Sequence, residues 1–180
     1  MTVLIVHESM FGNTAAVAAA IAEGMTQELA SGTDSTGPPA VRLVPVAAAP
    51  AEIPADVGLL LVGAPTHAFS MPRSSTRQDA VRQGATGSAA AGVREWVERV
   101  VPRGDLPVVT FDTRVHVRLM PGSAARSAAA ALRRNGFRRA ERGESFWVEG
   151  VPGPLAHDEL LRARAWGAAL VGKHASPAPA

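Results

Sequence analysis

Cysteine is absent from the 180 residues, and so is tyrosine. Without cysteine there can be no disulfides, thiolate zinc sites, iron–sulfur clusters or thiol nucleophiles. Lysine is nearly absent too: of 18 basic side chains only Lys173 is a lysine. The pI near 10.3 reflects the high pKa of arginine. The formal net charge is only +2, so no strong field steers the chain toward polyanions. Arg133, Arg134, Arg138, Arg139 and Arg142 do cluster, but around a helix end, where cations are favoured by the dipole. Nucleic acid is therefore not an expected partner. No run reaches the ~18 apolar residues of a membrane helix. The start, Met1-Thr2-Val3-Leu4-Ile5-Val6-His7-Glu8, lacks the basic residues and long apolar stretch of a signal peptide. The expectation is a cytoplasmic protein with no membrane partner.

What is present is apolar: 47% of the chain, much of it alanine. That suffices for the core of one domain, expected over residues 1–174, with 175–180 as a mobile Ala/Pro tail. Five short runs read as strands: Val3–Val6, Val41–Val46, Val57–Val62, Pro107–Phe111 and Ser145–Val148. The first, third and fourth are continuously apolar, as in parallel strands covered on both faces. The second alternates and carries Pro45, which suits a sheet edge. Helical spacing follows the first strand at Val17, Ile21 and Met25, and recurs at Val93, Trp96, Val97 and Val100. Ser123 is placed to cap an alanine-rich helix that ends at Asn135-Gly136, and a last helix starts near Asp158. Only about ten residues join the second and third strands, with two prolines, so no full helix is expected there. Ser31–Ala40 and Met71–Gly92 read as loops, the latter long enough to suggest a functional lid. Strand–helix alternation of this kind predicts a doubly wound α/β fold.

The first strand runs directly into Ser9-Met10-Phe11-Gly12-Asn13-Thr14, and a helix follows. This is an anion trap. Glycine allows a tight turn and a close approach, and the free N–H groups and dipole of the helix start attract negative charge. The loop has no Lys or Arg, so it is not a Walker loop, and G-x-G-x-x-G is missing as well. Neutral donors alone would hold a phosphate monoester.

The Ser-x-x-Gly-Asn-Thr run is similar to the phosphate loop of flavodoxins. Gly63-Ala64-Pro65-Thr66-His67 resembles that family's first flavin loop, and Phe111-Asp112-Thr113-Arg114-Val115 stands where its second belongs. The resemblance spans residues 2–172. It implies a five-stranded parallel sheet of order 2-1-3-4-5 with helices on both faces. It also implies FMN as cofactor and electron transfer to a redox partner protein. The site it implies comprises Ser9, Met10, Phe11, Gly12, Asn13 and Thr14 on the phosphate, with Pro65, Thr66, His67, Phe69, Asp112, Thr113 and Arg114 around the ring. No catalytic residue and no metal follow from it. Phe11 stands where the family usually has a hydroxyl, and the second flavin loop offers Arg114 and Arg118 but no aromatic ring. Because the chain lacks the family's acidic excess, an acidic partner is expected.

Blander readings stand beside these. Ser, Asn and Thr are ordinary helix caps, and Phe69 and Met71 could pack the long loop onto the domain. Arg73 and Arg77 flank Ser74-Ser75-Thr76 as a conceivable second anion site for a nicotinamide nucleotide. Two rivals on the same fold remain open: an FMN-dependent NAD(P)H oxidoreductase, and an anion-binding module without flavin.

Overall fold

The computed structural model describes residues 1–31, 40–116 and 122–175. Five strands, β1 (Thr2–His7), β2 (Ala40–Pro45), β3 (Val57–Pro65), β4 (Val108–Val115) and β5 (Ala140–Val148), form one sheet of order β2-β1-β3-β4-β5. Every neighbouring pair is parallel. Helices α1 (Asn13–Ser31), α2 (Ser74–Arg82), α3 (Val93–Arg99), α4 (Ala124–Asn135) and α5 (Glu159–Ala175) complete the domain. Among the described residues no helix is long and apolar enough to cross a membrane.

The sheet is buried on both faces, which is why its central strands read as unbroken apolar runs. Val3, Ile5, Leu59, Leu61 and Phe111 pack under α1 and α5. Leu4, Val6, Leu60, Val62 and Val108 face the side that carries α3 and α4, where Trp96, Val97 and Leu132 meet them. The predicted face of α3 is fully inside: Val93, Trp96, Val97 and Val100 are all buried. α4 is bounded as its sequence predicts. The Ser123 hydroxyl accepts from the Arg126 N–H, and Gly136 follows in the left-handed region at φ 112°. Between β2 and β3 there is only a 3-10 turn, Val46–Ala48.

Helices α1 and α5 meet where Gly24 leaves no room. A Cβ on Gly24 would lie 2.0 Å from the Arg164 carbonyl oxygen. Overpacking of this kind costs about 1–3 kcal/mol, and each kcal/mol shifts the melt of a domain this size by about 2–4 °C. Gly24→Ala is therefore expected to lower Tm by several degrees. An unchanged thermal melt would show that the two helices separate without loss.

Three local expectations are corrected. The long loop at 71–92 contains α2, in which only Arg77 and Ala80 are buried, so no apolar period marks it. β5 begins five residues before Ser145. Its first half carries Glu141, Arg142 and Glu144 along an edge, and those charges mask the strand. The two flavin-loop segments are strand over most of their length, since Ala64 pairs with Asp112 and Pro65 with Thr113. Of the expected loop at 31–40 and tail at 175–180, Ser31 ends α1, Ala40 begins β2 and Ala175 ends α5, while 32–39, Arg118 and 176–180 lie outside the described residues.

Candidate functional site

The Ser9–Thr14 loop leaves β1 and turns at Gly12, whose φ of +87° is open to glycine and strained for other residues. α1 then starts at once. Its first intrahelical bond runs from the Ala16 N–H to the Gly12 carbonyl, at 2.9 Å. The Ala15 N–H is taken by Ser9 Oγ at 3.2 Å. The N–H groups of Gly12, Asn13 and Thr14 have no intrahelical acceptor by position, and none is found for them among the described residues. The first turn of this 19-residue helix contains no acidic side chain, so its positive pole is uncompensated.

The side chains contribute less than the sequence implies. Asn13 Nδ2 donates to the Pro152 carbonyl at 3.2 Å. Thr14 is buried, and its hydroxyl shares a 2.7 Å bond with the Thr113 hydroxyl, tying α1 to β4. Met10 is buried too, and its carbonyl accepts from the Gly87 N–H at 3.0 Å, which braces the loop from behind. The anion-binding capacity of this loop therefore rests chiefly on its backbone.

A cleft opens beside the loop. Ser9, Met10, Phe11, Asn13 and Thr14 form one wall, Pro65, Thr66 and His67 a second, and Thr113, Arg114 and Val115 a third. Val148 and Val151 close it. Its free volume is about 60 Å³. That is room for about four waters, which suits a phosphate-sized group and is well below a whole-ligand pocket. Gly12 sits at the exposed apex of the loop and borders a wider hollow of about 290 Å³ on its other side.

The remaining predicted residues divide. The Thr66 hydroxyl accepts from the Ala124 N–H at 2.8 Å and so helps cap α4. His67 pairs with Ser70 across a tight turn through two 3.0 Å backbone bonds. Ala68 and Phe69 inside it have φ of 45° and 65°, the signs of a type I′ turn. Both are non-glycine residues in the left-handed region, a strain of order 1–2 kcal/mol each. The turn leaves Phe69 53% exposed, so Phe69 does not pack the loop onto the domain. Burial lowers the His67 pKa, so the imidazole beside the cleft is neutral at pH 7. Asp112 is not a wall of the cleft: it is fully buried, and its Oδ2 accepts from the Ala125 N–H at 2.8 Å. Its place beside Thr113 in the sequence conceals that it points to the opposite face of the sheet.

Arg77 is no second anion site. It is 1% exposed, with its guanidinium bonded to Glu95 at 2.9 Å and to the Ala89 and Pro72 carbonyls. Its Nη1 lies 3.8 Å from Glu8, the residue immediately before the phosphate loop. Glu8 is also buried and accepts from the Val93 N–H at 2.8 Å. Burial pushes its carboxyl up to about 7, against the lowering effects of that hydrogen bond and of Arg77. Sequence reasoning missed both Glu8 and Trp147. No spacing signal joins Glu8 to Arg77 across 69 positions, and Trp147 reaches Arg114 only through the pairing of β4 with β5.

No protein-family model matches this sequence, and no curated relative matches it either. Solved structures do. The chain is similar to a flavodoxin from the domain Archaea, at 16% identity and TM-score 0.61, covering 98% of this chain and 100% of that one. It is similar to flavodoxin 1 from Bacillus cereus, at 14% identity and TM-score 0.60, again covering 98% and 100%. It also aligns over 97% of its length with a flavodiiron protein from Giardia intestinalis, at 20% identity and TM-score 0.57. This chain spans only 36% of that larger protein. At such identities the likeness establishes architecture, and the architecture is the flavodoxin-like fold.

Proposed function

We propose that this protein binds FMN, with the phosphate in the Ser9–Thr14 loop, and acts as an electron-transfer protein. The observation that carries the reading is the set of uncommitted N–H groups at Gly12, Asn13 and Thr14. They stand at a helix pole with no acidic residue in its first turn and beside a cleft of phosphate size. Such a site takes an anion without needing Lys or Arg. FMN fits it chemically, since its phosphate matches the backbone donors and its ring would leave the narrow cleft toward the His67 turn and Arg114. When bound, FMN supplies the redox chemistry, and the protein supplies binding, orientation and charge. The structures most like this chain include proteins described as flavodoxins. A carrier is favoured over a nicotinamide-dependent reductase because Arg77, one of the two arginines offered for a nucleotide phosphate, is fully engaged inside the domain. An acidic redox partner would complement the unpaired positive charge at the cleft.

The test is a paired titration with FMN and riboflavin. Riboflavin has the ring without the phosphate. Hydrogen bonds to a charged group are worth about 1.5–3 kcal/mol each. Loss of two or more is expected to weaken binding by at least about a hundredfold. Equal dissociation constants would overturn the phosphate-loop assignment.

A further inference from the structure

Among the described residues Arg114 is the one charged residue in the walls of the cleft, and its described surroundings leave its charge unanswered. Among the described residues no carboxylate lies within ion-pair distance of it. One donor, Nη1, bonds the Gly122 carbonyl at 3.1 Å. A second, Nε, is buried without a partner among the described residues. What fixes the guanidinium is an indole. The β4–β5 register sets Arg114 directly beside Trp147, and the guanidinium carbon lies 5.5 Å from the ring centroid. His116, just past the end of β4, meets that indole edge-on at 4.7 Å between ring centroids. The strand that carries Trp147 is anchored at that residue: its backbone N–H donates to the Glu159 carboxylate at 2.8 Å, and Glu159 is paired with Arg162. A cation held over an aromatic face is stabilised without being neutralised. A carboxylate in the same place would have cancelled it.

We infer that Trp147 is a positioning residue that holds Arg114 ready to stabilise the negative charge of reduced FMN. The inference rests on the FMN reading above. Relative to the oxidised ring, fully reduced FMN gains two electrons and one proton, leaving it one unit more negative. An unpaired guanidinium beside the cleft therefore favours the reduced over the oxidised cofactor. An opposite charge beside an ionised group is worth about tenfold or more in equilibrium. A partly exposed pair falls at the low end of that range. By linkage, the preference appears as a raised midpoint potential, and tenfold in a two-electron couple is about 30 mV. Trp147 acts through Arg114 and is not among the described residues that line the cleft, so its effect is expected on the potential rather than on the phosphate affinity.

The experiment is a dithionite titration, with a reference dye, of the FMN-loaded wild type and four variants, alongside the dissociation constant of oxidised FMN for each. Arg114→Gln is expected to lose about tenfold in preference for reduced FMN, a midpoint about 30 mV lower. Arg114→Lys keeps a charge but not the flat stack and is expected to fall between. Trp147→Leu is expected to lower the midpoint in the same direction with oxidised FMN still bound. Trp147→Phe, which keeps a ring under the guanidinium, is expected to restore most of it. If Trp147→Leu does not fold, the Arg114 variants and Trp147→Phe decide. A midpoint unmoved by Arg114→Gln overturns the inference while leaving FMN binding intact. A shift in Arg114→Gln without one in Trp147→Leu overturns the positioning role of the indole. A wild-type chain that binds no FMN overturns this inference together with the reading beneath it.

Discussion

Gly12→Val is expected to lower the affinity for FMN by more than about a hundredfold while the domain stays folded. Two effects add at this position. The backbone φ of +87° lies in the left-handed region, where an L residue is disfavoured by roughly 1–2 kcal/mol and a β-branched one by more. The loop relaxes away from this geometry, and the N–H groups of Gly12, Asn13 and Thr14 cease to converge. The valine methyls also project into space that holds no protein atom within 4 Å of the Cβ, where under the proposed reading they would crowd a ligand at the Gly12 N–H. That openness is why the fold survives: nothing in the protein is displaced, and the strain predicts a melt only a few degrees lower. Gly12→Ala, with the strain but less bulk, is expected to fall between. A flavin fluorescence titration checks this beside a thermal melt. Wild-type affinity in Gly12→Val would show that the loop is a helix cap and nothing more.

Glu8→Gln is expected to remove a large pH dependence of stability. The Glu8 carboxyl is 3% exposed and pushed from 4.5 up to about 7, by burial first, with the Val93 N–H and Arg77 only partly offsetting it. The sign follows from the raised value. The folded state binds a proton more tightly than the unfolded state. This contribution is fully present below 4.5 and is lost as pH rises through about 7. At 1.36 kcal/mol per pKa unit, this group changes stability by on the order of 3 kcal/mol between about pH 4 and pH 8. Other groups slope the opposite way. His7 and His67 are lowered by burial. For Glu95 burial is the largest single influence and raises the pKa, but the hydrogen bond and charge of Arg77 and the backbone hydrogen bonds together outweigh it, and the net shift is down. The informative quantity is therefore the difference between wild type and variant. Glutamine keeps an acceptor for the Val93 N–H and never ionises. Glu8→Gln should melt near wild type at about pH 5 and several degrees above it at about pH 8. A constant difference across that range would show that Glu8 is ionised throughout.

What the sequence reveals is what depends on near neighbours. β1, β3 and β4 are legible because burial on both faces demands unbroken apolar runs. α4 is legible because Ser123 and Gly136 mark its ends with residues suited to them. The turn at Ser9–Thr14 is legible because strand, glycine and helix are contiguous in the chain. What escapes depends on pairing at a distance. α2 carries its buried face as Arg77 and Ala80, and Arg77 enters the interior only because Glu8 and Glu95 await it. β5 hides behind the charges of its exposed edge. Asp112 is adjacent to Thr113 in sequence, yet strand alternation sends one to cap α4 and the other to hold Thr14. Trp147 meets Arg114 only through the register of β4 with β5.

The central claim is that backbone donors of residues 12–14 hold the FMN phosphate, and phosphorus NMR of the FMN-loaded protein tests it most directly. A free phosphate monoester takes up its second proton near pH 6. Inside the loop, N–H groups and an uncompensated helix pole favour the dianion. The bound resonance is expected to be displaced from that of free FMN and to stay fixed from about pH 5.5 to pH 8. A bound phosphate whose resonance still titrates near pH 6 would place it in solvent and contradict the account.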